Sequence, residues 1–161
     1  MAMKVTMISV GKIKDKYIQL GIDEFKKRLN RFCKLTFIEV KDEALKEKLT
    51  EKELELIRIK EGQLILTKLP VGAYVIIMDI DGKQLSSEEL AHQLKDVATY
   101  HGGHVVFIIG GSIGLSQEVK SRGDLLLSFS KMTFPHQLFK LMLLEQIYRG
   151  FKINANESYH K

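Results

Sequence analysis

The sequence predicts an α/β domain, a mostly parallel sheet with helices on both faces. Three observations carry this. Apolar, strand-like runs alternate with helix-period segments along the whole chain. Several strand runs are continuously apolar rather than alternating, as strands covered on both sides must be. No linker, repeat or low-complexity stretch interrupts the 161 residues, so residues 1–161 read as a single domain.

Each element has a local reason. Lys4–Val10 is a short apolar-rich run ended by Gly11. Tyr17–Leu29 has helical spacing, with Tyr17, Leu20, Gly21, Phe25 and Leu29 on one face and charges opposite. Leu35–Val40 is the next strand. Thr50 followed by Glu53 is a capping box, a pair of side chains that each satisfy a free amide of a helix's first turn. It opens a long helix whose period runs through Leu54, Ile57, Glu61, Leu64 and Ile65, and Pro70 stops it. Ala73–Asp79 is a β-branched run, hence a buried strand, and Asp81-Gly82 makes a turn. Ser86 and Glu89 form a second capping box, opening a helix to about Tyr100 that Gly102-Gly103 ends. His104–Ile109 is the most apolar strand. A short helix, Ser116–Arg122, and a strand, Leu125–Ser128, come next. Pro135 falls in the first turn of a last helix, which carries Leu138, Leu141, Met142, Leu144, Ile147, Tyr148 and Phe151. That helix is apolar on more than one stripe, so one stripe can pack the core and another a second copy of the chain. Asn154–Lys161 is a polar tail.

Composition removes several classes. No apolar run approaches the ~18 residues of a membrane span, and the N-terminus lacks a signal-peptide pattern. Met1-Ala2 ahead of Met3 reads as a remnant of cloning. The single cysteine, Cys33, excludes a disulfide framework and a cysteine-based zinc site. The histidines show no H-x-x-x-H or H-E-x-x-H spacing, so no metal is expected. A cytoplasmic protein remains. Its net charge of +5 is uneven: residues 1–40 carry +5, residues 41–70 zero, residues 71–130 −3 and residues 131–161 +3. If the basic ends meet in space, they form one positive surface suited to an anionic polymer. Evenly solvated lysines are the plainer alternative.

Ligands of such sheets sit at the carboxyl ends of strands, which singles out the loops after Asp79, Ile109 and Ser128. Gly110-Gly111-Ser112-Ile113-Gly114 lets backbone approach a ligand closely. It fails the dinucleotide fingerprint, because its pattern is G-G-x-x-G, it follows the fourth strand, and no acidic residue ends a strand about 20 residues later. A tight strand–helix turn explains it as well. Ser130–His136 sets the free amides of a helix start beside apolar Met132 and Phe134, a combination suited to an adenine-like ring, with ordinary loop packing as the alternative. Glu145 and Arg149, four apart, make at least a surface pair. Tyr159-His160-Lys161 joins an aromatic, an imidazole and a cation, suited to base stacking and phosphate contact. At a terminus, chemistry alone favours a frayed segment.

In combination, Ile108–Leu115, Ser128–His136, Glu145-Gln146-Ile147-Tyr148-Arg149, Tyr159-His160-Lys161 and the opening Val5–Val10 with Gly11-Lys12 closely resemble the ribosomal RNA large subunit methyltransferase H family, over the chain from Met3. That family is of the SPOUT class, whose α/β fold carries a C-terminal trefoil knot and which works as a homodimer. The resemblance implies transfer of a methyl group from S-adenosylmethionine to N3 of a pseudouridine in the 23S rRNA of assembled ribosomes. By match, the cofactor site falls on Met78, Gly110, Phe129, Ser130, Lys131, Met132, Thr133 and Phe134. The family often has leucine where this chain has Met78, often has proline before the Tyr-His pair where this chain has Glu157-Ser158, and in some members ends in arginine where this chain has Lys161. Lysine keeps the charge and loses the bidentate fork.

The residues expected at the reaction are His160, Tyr159, Arg149 and Glu145, with Lys161, Arg149 and Tyr159 on the substrate. Imidazole is the side chain whose ordinary pKa lies near neutrality, so His160 is the candidate proton acceptor. Tyr159 would stack on or hydrogen-bond the base. Arg149 and Lys161 would hold phosphate or stabilise the N3 anion, and Glu145 would orient Arg149 or take the proton itself. A non-catalytic ribosome- or RNA-binding module on the same scaffold is the rival reading. It explains the charge but not three glycine- or amide-rich loops at strand ends. A nucleotide-dependent oxidoreductase is a second rival, opposed by the failed fingerprint.

Overall fold

Strands that are apolar on both faces belong inside a sheet covered on both sides, and β1 (Met3–Val10) lies there, buried at every position but Lys4. The computed structural model describes residues 3–161; Met1-Ala2, the expected cloning remnant, lie outside the described residues. After β1 come α1 (Lys16–Leu29), β2 (Cys33–Val40), α2 (Glu51–Lys68), β3 (Tyr74–Gln84), α3 (Ser87–Tyr100), β4 (His104–Ile109), α4 (Gln117–Ser121), β5 (Leu125–Ser128) and α5 (His136–Asn154). The strands make one sheet in the order β2-β1-β4-β3-β5, parallel at every pairing. The expected fold class is therefore what forms.

Alternation along the strands divides the core. Val5, Met7, Val105, Phe107 and Ile109 face α1, α3 and α5, where they meet Ile18, Ile22, Leu94, Leu143 and Ile147. Ile8, Val10, Val75, Ile77, Val106 and Ile108 face α2 and α4, where they meet Ile65 and Val119. Both capping boxes form. Thr50 Oγ1 accepts from the Glu53 amide at 3.2 Å, and Ser86 Oγ accepts from the Glu89 amide at 3.0 Å. Gly102 and Gly103 end α3 with φ of +77° and +74°, a backbone that glycine adopts without steric cost. Cys33 is buried at the start of β2, and burial pushes its thiol pKa up to about 12, leaving a packing group.

Four local expectations shift. The inward face of α1 is Ile18, Ile22 and Leu29, whereas Tyr17 and Leu20 of the expected face are 66% and 60% exposed. The helix has two apolar stripes, and only one meets the core. The outer one runs beside α5, where a β-carbon on Gly21 would come within 2.8 Å of Leu141 Cδ2. On α2, Glu61 and Ile65 are buried and Leu64 is exposed. Pro135 caps α5 from outside rather than filling its first turn. Finally, β3 does not end at Asp79. It turns out at Asp79–Gly82 and returns, so that Met78 and Lys83 both pair with Leu127 of β5. At the return, a β-carbon on Gly82 would sit 2.6 Å from the backbone carbonyl of Leu126. Two backbone segments thus approach each other closely at Gly82.

Candidate active site

The outward turn of β3 and the carboxyl ends of β4 and β5 open onto one cleft of about 420 Å³. Its walls are the three loops singled out by sequence: Met78–Asp81, Ile109–Leu115 and Leu127–Phe134, closed by His136 and Phe139 of α5. Seven of the eight residues expected to hold the cofactor line it, namely Met78, Gly110, Phe129, Ser130, Met132, Thr133 and Phe134. Lys131, in the same loop, is not part of the wall.

Each loop has its own internal support. Ser130 Oγ accepts from the Met132 amide at 2.9 Å, and Ser128 Oγ donates to the Ser130 carbonyl at 2.9 Å; such hydroxyl contacts set a turn without help from elsewhere. Phe129 and Phe134 pack on Phe139 with ring centroids 4.8 and 6.4 Å apart. In the glycine loop the Gly114 amide donates to Gly111 at 3.1 Å. Arg58 reaches over from α2 and donates to the Ile113 carbonyl at 2.7 Å. Glu51 and Glu55 hold its guanidinium and raise its pKa. In the first loop the Asp79 carboxylate pairs with Lys120 at 3.2 Å and accepts from the Asp81 amide at 3.0 Å. Sequence spacing pointed to neither Arg58 nor Lys120. Both act on loops remote from them in the chain, and no local pattern signals such a contact.

A second groove of about 520 Å³ adjoins the cleft and shares Leu127, Phe129 and Phe134 with it. Leu85–Ser87 and Leu90 form one side, and Met142, Glu145 and Gln146 the other. Glu145 thus faces a groove that shares three wall residues with the cleft.

The tail is docked, contrary to the fraying that chemistry alone favoured. Tyr159 sits edge-on to Tyr148 at 4.9 Å, with the Arg149 guanidinium over its ring at 4.7 Å. Glu145 grips Arg149 through Nε at 2.7 Å and Nη2 at 2.5 Å, and this pairing raises the arginine's pKa. Arg149 Nη1 lies 3.1 Å from His160 Nδ1, and His160 Nε2 lies 2.5 Å from Glu88 Oε1. Glu145, Arg149, Tyr159 and His160, scattered in sequence, therefore form one cluster. Of these, only Glu145 reaches the groove beside the cleft; the others line neither space within one chain. Lys161 is exposed at the end of the tail.

Glu157 anchors this segment. Its carboxylate accepts from Arg31 at 2.6 and 3.0 Å and from Lys152 at 2.7 Å, and these cations hold its pKa below the usual carboxylate value. An acid whose folded pKa is depressed contributes above its unfolded value and loses that contribution as pH falls through the folded one. Amide exchange over residues 155–161 is therefore expected to accelerate as pH falls below the usual carboxylate range, after correction for intrinsic exchange. Unchanged protection down to the acid transition of the whole domain would contradict the anchor. Among the described residues, no group of three or more His, Cys, Asp or Glu side chains is placed to hold a metal ion, and no helix is long and apolar enough to cross a membrane.

Comparison with known proteins bears on this site. A family model described as "Predicted SPOUT methyltransferase" matches residues 3–160. Proteins named ribosomal RNA large subunit methyltransferase H are similar over 99% of this chain and 100% of their own length. The one from Clostridioides difficile is 57% identical, that from Alkaliphilus oremlandii 54% and that from Shouchella clausii 51%. Among solved structures, a probable methylase family protein from Haemophilus influenzae superposes with a TM-score of 0.55 at 12% identity, covering 100% of this chain and 72% of that one. That likeness concerns the fold alone. Together these matches establish that the chain belongs to the SPOUT methyltransferase family.

Proposed function

We propose that this protein transfers a methyl group from S-adenosylmethionine to N3 of a pseudouridine in the 23S rRNA of assembled cytoplasmic ribosomes, acting as a homodimer. The observation that carries this reading is the convergence of three strand-end loops on one cleft beside a groove that ends at Glu145. The shared name of the close relatives supports large-subunit rRNA as the substrate.

The cleft fits the cofactor. Its volume is in the range of about 300–1,000 Å³ typical of small-ligand pockets, its walls are apolar at Met78, Met132 and Phe134, and the loops between supply backbone amides. When bound, the cofactor supplies a methyl group already activated on a positively charged sulfur. The chain's task is alignment. The 129–134 loop and Gly110 hold the donor, and the adjoining groove admits an unstacked base between Phe129 and the start of α3. The N3 proton passes to the Glu145 carboxylate on the groove wall or to solvent, Arg149 and Lys161 provide positive charge for phosphate or for the anion so formed, and Tyr159 offers a face or a hydroxyl to the base.

A partner copy enlarges this site. Tyr17 and Leu20 are exposed beside half-buried Leu138 and Leu141, an apolar face suited to a second chain. Across a dimer, the tail of one subunit would complete the cleft of the other. Leu20→Glu should shift sedimentation toward the monomer and reduce methyl transfer; a dimer of unchanged affinity would remove this face from the proposal.

Nucleosides from whole ribosomes and from free rRNA, incubated with enzyme and cofactor and read by mass spectrometry, test the function. Methylated pseudouridine in ribosomes is expected, and activity on small RNAs but not on ribosomes would overturn the substrate. The cofactor site is tested by Gly110→Val. A β-carbon at Gly110 would stand 2.9 Å from Leu115 Cγ and 3.2 Å from the Gly114 carbonyl carbon, so the loop must move. Isothermal titration should show cofactor affinity falling about tenfold or more. A wild-type chain that binds no cofactor would favour the non-catalytic module.

A further inference from the structure

We infer that Glu88, at the start of α3, is a positioning residue for the methyl transfer proposed above: it holds His160 in the orientation that keeps Nδ1 against Arg149, and through that contact keeps the ring in one tautomer. The inference rests on that functional reading and on the hydrogen-bond chain Glu145–Arg149–His160–Glu88.

Both ring nitrogens of His160 face charged partners, Nδ1 toward Arg149 Nη1 at 3.1 Å and Nε2 toward Glu88 Oε1 at 2.5 Å. A guanidinium has hydrogens to donate and no lone pair to accept with. Nδ1 must therefore be the bare nitrogen, accepting from Arg149. The hydrogen of the neutral ring is left on Nε2, from which it is donated to Glu88. The partner of one ring nitrogen thus sets the state of the other. Arg149 has no freedom to release Nδ1, because Glu145 holds it through two nitrogens.

Two consequences follow. The one lone pair of the His160 ring is directed at a cation, so in this arrangement the ring is not a free acceptor for the N3 proton. Its contribution is to hold Arg149 from the side opposite Glu145. Glu88 also ties the last residues of the chain to α3, which keeps Tyr159 between Tyr148 and the guanidinium. Glu88 itself touches neither the cleft nor the adjoining groove. Removing it should change the rate of transfer rather than the binding of cofactor.

The test joins a spectrum to a rate. Long-range ¹⁵N–¹H spectra of ¹⁵N-histidine protein, with His160→Gln to assign the signal, report which ring nitrogen carries hydrogen. The wild type should show His160 with hydrogen on Nε2. Glu88→Ala should let the ring turn away from Arg149, so that both tautomers appear, and lower kcat on ribosomes by roughly tenfold to a hundredfold, as misplacement of reacting groups does, with cofactor KM unchanged. Glu88→Gln keeps an accepting oxygen and should retain both the tautomer and kcat, to within about threefold. Hydrogen on Nδ1 in the wild type would overturn the inference. So would an unchanged ring or rate in Glu88→Ala, or equal losses in the two variants. If the wild type methylates no ribosome, the functional reading fails and the role of Glu88 in it fails too, while the spectra still decide whether the contact exists.

Discussion

Gly82→Ala is expected to unseat the β3–β5 edge of the sheet and to abolish cofactor binding with it. The added carbon would lie 2.6 Å from the carbonyl carbon and oxygen of Leu126 and 2.8 Å from the Leu127 nitrogen. These are backbone atoms of a paired strand, so no side chain can rotate away to make room. Met78 and Lys83 both pair with Leu127 across this point, and a shift there displaces two walls of the cleft together. A loss of about 3 kcal/mol or more is expected in urea or thermal unfolding, at or beyond the upper end of overpacking effects. Gly72→Ala is the comparison. Gly72 has a φ of +79° but nothing within 4 Å of an added β-carbon, so only the left-handed backbone is penalised, by about 1–2 kcal/mol. If the two variants unfold alike, the close backbone approach at Gly82 is not what holds this edge.

Arg149→Ala should have the largest effect on the reaction. Arg149 is where Glu145, Tyr159 and His160 meet, so one truncation removes the ion pair, the cation over the ring and the donor to Nδ1. Methyl transfer is expected to fall by about two to three orders of magnitude, comparable to the loss of a preorganised charge at a reacting centre. Cofactor affinity should change by no more than about threefold, since Arg149 lines no part of the cleft. Arg149→Lys should recover little, because an ammonium cannot grip Glu145 through two nitrogens and reach His160 at once. His160→Ala should also lower methyl transfer while cofactor binding persists. Single-turnover rates on ribosomes beside isothermal titration separate these outcomes. A rate within a few-fold of wild type for Arg149→Ala would place the reaction away from the tail.

Much of this was legible in the sequence, for identifiable reasons. Capping boxes are local, so Thr50/Glu53 and Ser86/Glu89 marked two helix starts to within a residue. Continuous apolar runs gave away the interior strands, and strand-end loops indicated where a ligand cleft would open. The misplaced features share a different character. On α1 both Tyr17/Leu20 and Ile18/Ile22 are apolar pairs, and only tertiary packing selects Ile18 and Ile22 for the interior. The return of β3 to Leu127 after Asp79–Gly82 depends on β5, which lies far along the chain. Arg58 and Lys120 support their loops through long side chains whose reach has no sequence period. The tail looked frayed because its anchors, Arg31 and Glu88, are remote from it in sequence.

The anchor at Glu157 also bears on the contact proposed between the tail and RNA. Terminal segments that recognise nucleic acid are commonly disordered until they bind, and ordering them then opposes association by several kcal/mol. Here three charge-assisted bonds to Arg31 and Lys152 order the tail before any RNA arrives. The conformational entropy of residues 155–161 is lost when the domain folds, and a later encounter with RNA has less of it left to remove. In this way the segment after α5 is a rigid edge in advance of any binding event.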